Sequence, residues 1–358
     1  MVSISVIIPV YNVEQYVLRC LESVMSQGDA GVEMECVVVD DCGSDGSMAL
    51  VREAIASYDG PVRFSVVCHE RNLGLSAARN TGLRRSQCDY VLFVDSDDYL
   101  LPGSIRCFAD SLKMHPEADM VIGNARNKKD GSILTDNIRE PWFIGDADVF
   151  FRRMLNHQIY LYAWNKLIRR SVLLDGGVFF IEGILFEDQS WSYLLFSRIG
   201  SVLLLPQVTY VYEYNPLSIV SQSYSAARAG EVVRSCVVST NFLLDNPPSA
   251  GRYSKDMTVD YLLYISNSLM HGFDVAMRFG IPPAVAVELR AVRRRLMLRS
   301  LRYGRLMVSC FMLLLWRPFS MVQRLSFFRH HYHDLERGVS VVAHLTDFLH
   351  GRRMKNDE

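Results

Sequence analysis

Short apolar runs, separated by segments with helical spacing, dominate the first hundred residues. The runs at 4–10, 35–39, 62–67 and 90–94 are rich in β-branched residues. Each is too short to make a helix, so each predicts a buried strand. Between the first two, Val13, Tyr16, Val17, Cys20, Leu21 and Val24 keep a helical period, with Asn12 as the expected N-cap. A second helix is expected from about Met48 to Ser57, and a third, rich in small residues and capped by Ser76, to about Arg85. Strands alternating with helices in this way predict an α/β fold, a parallel sheet with helices on both faces.

The pattern then loosens. Pro102 suits the first turn of a helix, and residues 119–123 read as a strand. Residues 124–145 are mixed and read as a loop over the site. Helices are expected near 146–156 and 164–174, and another from Phe186, Glu187 and Asp188 to about Arg198. Residues 202–205 and 208–214 read as two strands. From Ser225 the pattern is helical to the end, broken at Pro247–Pro248, Pro282–Pro283 and Pro318.

In parallel sheets of this kind, ligands bind outside the carboxyl ends of the strands. Asn12, Asp40, Asp41 and Asp95 directly follow strands, so they are expected along one crevice. The stretch YVLFVDSDDYL at 90–100 runs a strand into Asp95, Asp97 and Asp98. Asp95 and Asp97 are two apart, which on an extended backbone points both to one side. Paired carboxylates suit a hard cation, Mg²⁺ or Mn²⁺, and such a cation is most useful beside a diphosphate.

Composition narrows the classes. The 358 residues are 49% hydrophobic, enough for a sizeable core and for two domains or one with a large appendage. The net charge of −1 hides an asymmetry: residues 278–329 hold eleven Arg and one acid, Glu288. Nothing around that basic stretch reads as a nucleic-acid recognition module, so no nucleic-acid partner is expected. The eight Cys include no CxxC pair and several sit in apolar patterns, which predicts a reduced, cytoplasmic protein without a disulfide framework. A strand begins at once, so no signal peptide is expected. His69, His115 and His157 are widely spaced and read as surface or loop residues. No GxGxxG follows the first strand; Pro9, Val10, Tyr11 and Asn12 stand there, which argues against a dehydrogenase-like dinucleotide site.

Five segments in order resemble the family 2 glycosyltransferases: SVIIPVYN at 5–12, VVVDDCGSDGS at 37–47, RNLGLSAARNTGL at 71–83, FVDSDD at 93–98 and FEDQSW at 186–191. AWNKLIRRSV at 163–172 is also similar to that family. The resemblance covers roughly residues 3–220. It implies a GT-A fold, a Rossmann-like, mixed but mostly parallel sheet sandwiched by helices, over residues 1–220, with a helical region at 221–358. It further implies transfer of a sugar, with inversion, from a nucleotide diphosphate donor.

The resemblance also assigns roles. Asp41 matches the position that contacts the base, where a carboxylate can accept from uracil N3–H and so favours a UDP-sugar; guanine also offers donors. Pro9, Tyr11, Asn12, Asp40, Arg71, Gly74, Arg79, Asp95 and Ser96 belong to the implied nucleotide-sugar site. Asp97 matches the metal position of a DxD motif, with Asp95 toward the ribose, the donor sugar and the metal. Small residues from Gly74 to Ala78 allow close backbone approach, and Arg79 is expected on the diphosphate. Asp188 is the expected general base, with Glu187 second; the helix dipole at that position favours the ionised form. Trp191 reads equally as acceptor pocket or as core. Asn215 stands where many relatives carry Arg, leaving Arg228 or Lys166 as substitute cations. No QxxRW motif is present, which points to one sugar per encounter.

The most hydrophobic window, LMVSCFMLLLW at 306–316, is too short to span a bilayer. Flanked by Arg305 and Arg317, it suits an anionic membrane surface, at the inner face of the cell membrane, where a lipid-linked glycan acceptor would be met. The alternative is a helical bundle packed on the catalytic domain. A non-catalytic nucleotide-sugar binder is the rival to the enzyme.

Overall fold

A computed structural model describes residues 2–28, 31–134, 140–216, 218, 225–248 and 257–302. Four parallel strands open the chain: β1 (Ser3–Val10), β2 (Glu33–Asp40), β3 (Arg63–Cys68) and β4 (Tyr90–Phe93). Helices α1 (Val17–Met25), α2 (Ser47–Ser57) and α3 (Leu75–Arg85) connect them. β1 is buried along its whole length because it lies inside the sheet with helices on both faces. The spatial order β3-β2-β1-β4 reverses at β1, so a crevice opens at the carboxyl ends of β1 and β4.

The second half is mixed. It runs β5 (Tyr99–Leu100), α4 (Ser104–Met114), β6 (Met120–Asn127), β7 (Trp142–Ile144), α5 (Ala147–Leu155), β8 (Lys166–Arg169), α6 (Arg170–Leu174), α7 (Asp188–Phe196) and β9 (Val202–Tyr212). β8 lies antiparallel between β4 and β6, and β6 pairs parallel with β9. β5 and β7 run antiparallel to β9. The sheet is thus of the mixed GT-A type expected.

Four local expectations fail, the first being that 124–145, expected as a loop, includes the end of β6 and strand β7. The helix expected at 164–174 is strand β8 followed by the short α6. Residues 163–168 are consecutively buried between two strands, and four strand residues are too few to display a period of two. The two strands expected at 202–214 are one strand, β9, whose register against β6 shifts between Ile122 and Ala125 to carry Pro206 through. The capping residues also differ. α1 starts at Val17, not after Asn12, and α3 is preceded by Gly74, so Ser76 lies inside the helix.

After β9 come α8 (Ala226–Asp245), α9 (Met257–Phe279) and α10 (Pro283–Arg302), the helical region expected. One apolar core runs continuously from Phe151 of α5 and Trp191 and Tyr193 of α7 into Val233, Tyr261 and Leu289 of these helices. A second core, with Val17, Leu21, Val51, Phe108 and Leu112, fills the other face of the sheet. No described helix is long and apolar enough to cross a membrane. The 306–316 window, with Arg305, Arg317 and Pro318, lies outside the described residues.

Candidate active site

The crevice is built first from loops. After β1, Asn12 takes a left-handed backbone (φ 51°), and after β2, Cys42 does the same (φ 60°). These turns let the two loops bond to each other. Ser44 N–H donates to Asn12 Oδ1 (2.8 Å), Val13 N–H to Ser47 Oγ (2.9 Å) and Gly46 N–H to Glu14 Oε2 (2.8 Å). Asn12 therefore holds the neighbouring loop rather than capping α1. Pro9 is buried in β1 opposite Val39, while Tyr11 stands exposed at the mouth. Asp40 accepts from Cys42 N–H (3.0 Å).

Asp41 is 4% exposed at its side chain and accepts three bonds. Leu73 N–H reaches Oδ1 and Gly74 N–H reaches Oδ2, both at 2.8 Å, and His69 Nδ1 lies 2.7 Å from Oδ1. The expected base reader is thus a staple of the 69–74 loop, its oxygens engaged inside the protein. His69, expected as a surface or loop residue, is in the loop after β3, where it is nearly buried and bridges Asp41 to Thr81 (2.9 Å). Gly74 has φ 90° with open space beside it, and Arg71 is exposed on the same loop.

Arg79 is the centre of the site. Its side chain is 1% exposed and meets three carboxylates: Asp95 at 2.7 Å through Nη2, and Glu187 at 2.7 Å and Asp188 at 3.4 Å through Nη1. Both terminal nitrogens of Arg79, expected on a diphosphate, are engaged by these acids, while its buried Nε has no partner. Arg79 bolts the turn after β4 to the start of α7, which are more than ninety residues apart in sequence.

The three aspartates after β4 diverge. Asp98 turns inward, accepting from Tyr210 OH (2.7 Å) and Glu213 N–H (2.8 Å). Burial pushes its pKa well up, and the charges of Asp97 and Asp95 add to the rise. Ser96 is buried. Asp97 accepts from Asn215 Nδ2 (3.0 Å), so the residue standing where relatives carry Arg touches the acid of the motif directly. Asp97 is pushed up to about 6, first by burial and then by the charge of Asp95. A cation beside Asp97 would relieve that rise. Asp97 and the Asp95 oxygen not bound to Arg79 are the donors available. No group of three or more His, Cys, Asp or Glu able to hold a metal occurs among the described residues. Carboxylate oxygens such as these are ligands of the type that Mg²⁺ or Mn²⁺ accepts beside a phosphate.

At α7, Glu187 precedes the first turn and Asp188 opens it. Asp188 keeps 23% of its side chain open to solvent. Desolvation pushes its pKa up to about 7; Arg79 opposes that rise, and Glu187 and Asp95 add to it. The helix dipole at this position is expected to favour the ionised form; desolvation instead raises the pKa. A carboxylate near neutrality that still reaches solvent is a competent proton acceptor at pH 7.

Lys166 is fully buried beside this acid. Its Nζ donates to the Tyr162 carbonyl and lies 3.7 Å from the centre of the Tyr160 ring. Burial drives its pKa well below the usual lysine value, with Asp188 opposing. A lysine this deep is not placed to grip a diphosphate at the crevice, which corrects that expectation. Arg228, on the first turn of α8, pairs with Glu231 (3.2 Å). Trp191 is core: it is 1% exposed, face-stacked on Phe180 (4.5 Å, 7°) and edge-on to Phe93 (5.8 Å).

Known proteins share this fold. Over 228 residues the chain is 26% identical to the uncharacterized glycosyltransferase EpsJ of Bacillus subtilis, matching 63% of this chain and 64% of that one, less than two thirds of its length. The crystal structure of residues 1–349 of Staphylococcus aureus TarS in complex with UDP-GlcNAc superposes with a TM-score of 0.60 at 20% identity, covering 87% of this chain and 90% of that one. The mannosyltransferase PcManGT of Pyrobaculum calidifontis, in complex with GDP-Man and Mn²⁺, gives 0.51 at 16% identity, covering 88% of each. The family model for glycosyl transferase family 2 matches residues 5–177, the segment that runs from β1 through β8 and holds the acidic turn after β4.

Proposed function

We propose that the protein transfers a single sugar, with inversion, from a UDP-sugar to a saccharide or lipid-linked saccharide acceptor. The carrying observation is the Arg79 fork, which draws Asp95 of the motif turn and Glu187 and Asp188 of α7 into one crevice. Donor-side carboxylates and a base near neutrality are thereby brought together. The acceptor hydroxyl attacks the anomeric carbon as the bond from that carbon to the diphosphate oxygen breaks. Asp188 takes the hydroxyl proton late, when attack has made it acidic. Glu187 and Arg79 hold Asp188 in place. Asp97 and Asp95 would hold Mn²⁺ or Mg²⁺, which when bound offsets charge on the departing diphosphate. Exposed Arg71 and the open backbone at Gly74 are the groups offered to the nucleotide. UDP as the nucleotide is supported by the UDP-GlcNAc complex of TarS, which superposes better than the GDP-Man complex of PcManGT.

Titration calorimetry of UDP and GDP, each with and without Mn²⁺, tests this. Tight UDP binding that requires Mn²⁺ is expected. Metal-dependent binding of GDP alone moves the donor to a GDP-sugar, and binding of neither by folded protein rejects the enzyme reading.

The place of action is the cytoplasmic face of the membrane, reached through the Arg-rich 221–358 region. The support is composition: eleven Arg against one acid over residues 278–329. Full-length protein is expected to co-sediment with anionic vesicles at low salt and to be released by high salt; a sample that stays in the supernatant at low salt removes this part.

A further inference from the structure

Among the described residues, one aromatic ring at the crevice is both exposed and rigidly backed. Tyr162 is 47% exposed, yet its ring lies flat on Trp164 (4.8 Å, 7°). Trp164, itself buried, lies flat on Tyr210 (4.6 Å, 7°). Tyr210 OH in turn accepts from Asp95 N–H (3.1 Å) and donates to Asp98. A three-ring stack therefore runs from the motif turn to the surface and ends in an open aromatic face. Its backbone is fixed as well. Asn165 bends the chain with φ 58° and donates to Gly123 and Asn124 carbonyls (2.9 and 3.1 Å), and buried Lys166 donates to the Tyr162 carbonyl.

The segment that carries Tyr162 is tied to the helix of the proposed base. Ser192 lies one turn after Asp188, on the same face of α7, and its hydroxyl donates to the Leu161 carbonyl. The Tyr162 hydroxyl is raised in pKa, by desolvation and then by the charge of Asp188. Other exposed aromatics differ: Trp142 carries Arg153 over its ring (4.1 Å), and Tyr214 carries Lys129 (4.4 Å).

We propose that the open face of Tyr162 is the acceptor subsite and takes the apolar face of a pyranose ring. This inference rests on the glycosyltransferase reading above. A pyranose presents a face of C–H bonds made slightly positive by its oxygens, and an aromatic face is negative. A ring already held by Trp164 loses little freedom when the sugar docks. Stacking there sets a hydroxyl of the acceptor beside Asp188.

Saturation-transfer NMR on full-length protein tests it, with methyl β-D-glucopyranoside as probe and sorbitol as an open-chain control. Transfer to the pyranoside C–H protons is expected in the parent protein and in Tyr162→Phe. It should fall about fivefold or more in Tyr162→Ala and in Tyr162→Leu, the scale of a lost aromatic contact. Sorbitol should give no comparable signal. Calorimetry with UDP on the same samples should show affinity unchanged within about twofold, since the donor carboxylates are untouched. Equal pyranoside signal in the parent and in both aliphatic variants overturns the proposal, as does no signal in the folded parent. Loss of UDP binding in the parent defeats the donor reading instead, and the two failures are read separately.

Discussion

Asp41 and Asp188 are both acids of the crevice, and they are placed by opposite means. Asp41 directly follows β2 and is satisfied by its surroundings: two backbone N–H groups and His69. Asp188 opens α7 in the other half of the molecule and is held by Arg79 at 3.4 Å, a residue over a hundred positions earlier. The first is saturated and nearly closed to solvent; the second keeps an open edge and a pKa pushed up to about 7. The comparison teaches that a carboxylate at a strand end is not thereby chemical. Spare capacity separates the acid that builds the site from the one able to act in it.

The sharpest way to break this contrast is Asp188→Asn. It should lower transfer by about 10²–10⁴-fold, the usual contribution of a general base, while UDP binding persists. Transfer at the parental rate would sink the assignment of Asp188. Next in size is Arg79→Ala, which leaves Asp95, Glu187 and Asp188 facing one another uncompensated. Loss of one partner from a buried ionic cluster costs about 3–5 kcal/mol, readable as a lower midpoint in urea. Arg79→Lys keeps the charge but not the fork and should recover part of that loss. An unchanged midpoint for Arg79→Ala would mean the cluster contributes nothing to holding the two halves together.

The smallest effect sharpens rather than breaks the comparison. The folded pKa of Asp188 is raised, so the carboxylate is protonated and inactive below about 7 and ionised above it. Transfer should therefore climb about tenfold per pH unit below that value and level off above it. A pH–rate profile already flat from pH 5 would show that the group taking the proton is not this one.

Legibility followed sequence distance. The four parallel strands and their helices could be read because burial on both sides leaves unbroken apolar runs, whereas the reversal of strand order at β1 could not. The family motifs stood on those strands, and so Asp95, Asp97 and Asp188 could be singled out. β8 was misread because four residues carry too little period, and β9 was split because a proline interrupted its run. Tyr162 escaped notice because a tyrosine in a mixed segment gives no signal until Trp164 and Tyr210 are seen behind it.

The sequence by itself determined the fold class, the crevice at the strand ends, the acidic motif and the likeness of residues 5–177 to glycosyl transferase family 2. These depend on local pattern, which a linear chain carries openly. Tertiary structure alone decided that Arg79 is a buried bolt, that Asp41 is a staple, that Asn215 meets Asp97 and that Asp188 titrates near neutrality. Each of those depends on desolvation and on charges brought together across the fold, and neither quantity exists until the chain has closed on itself.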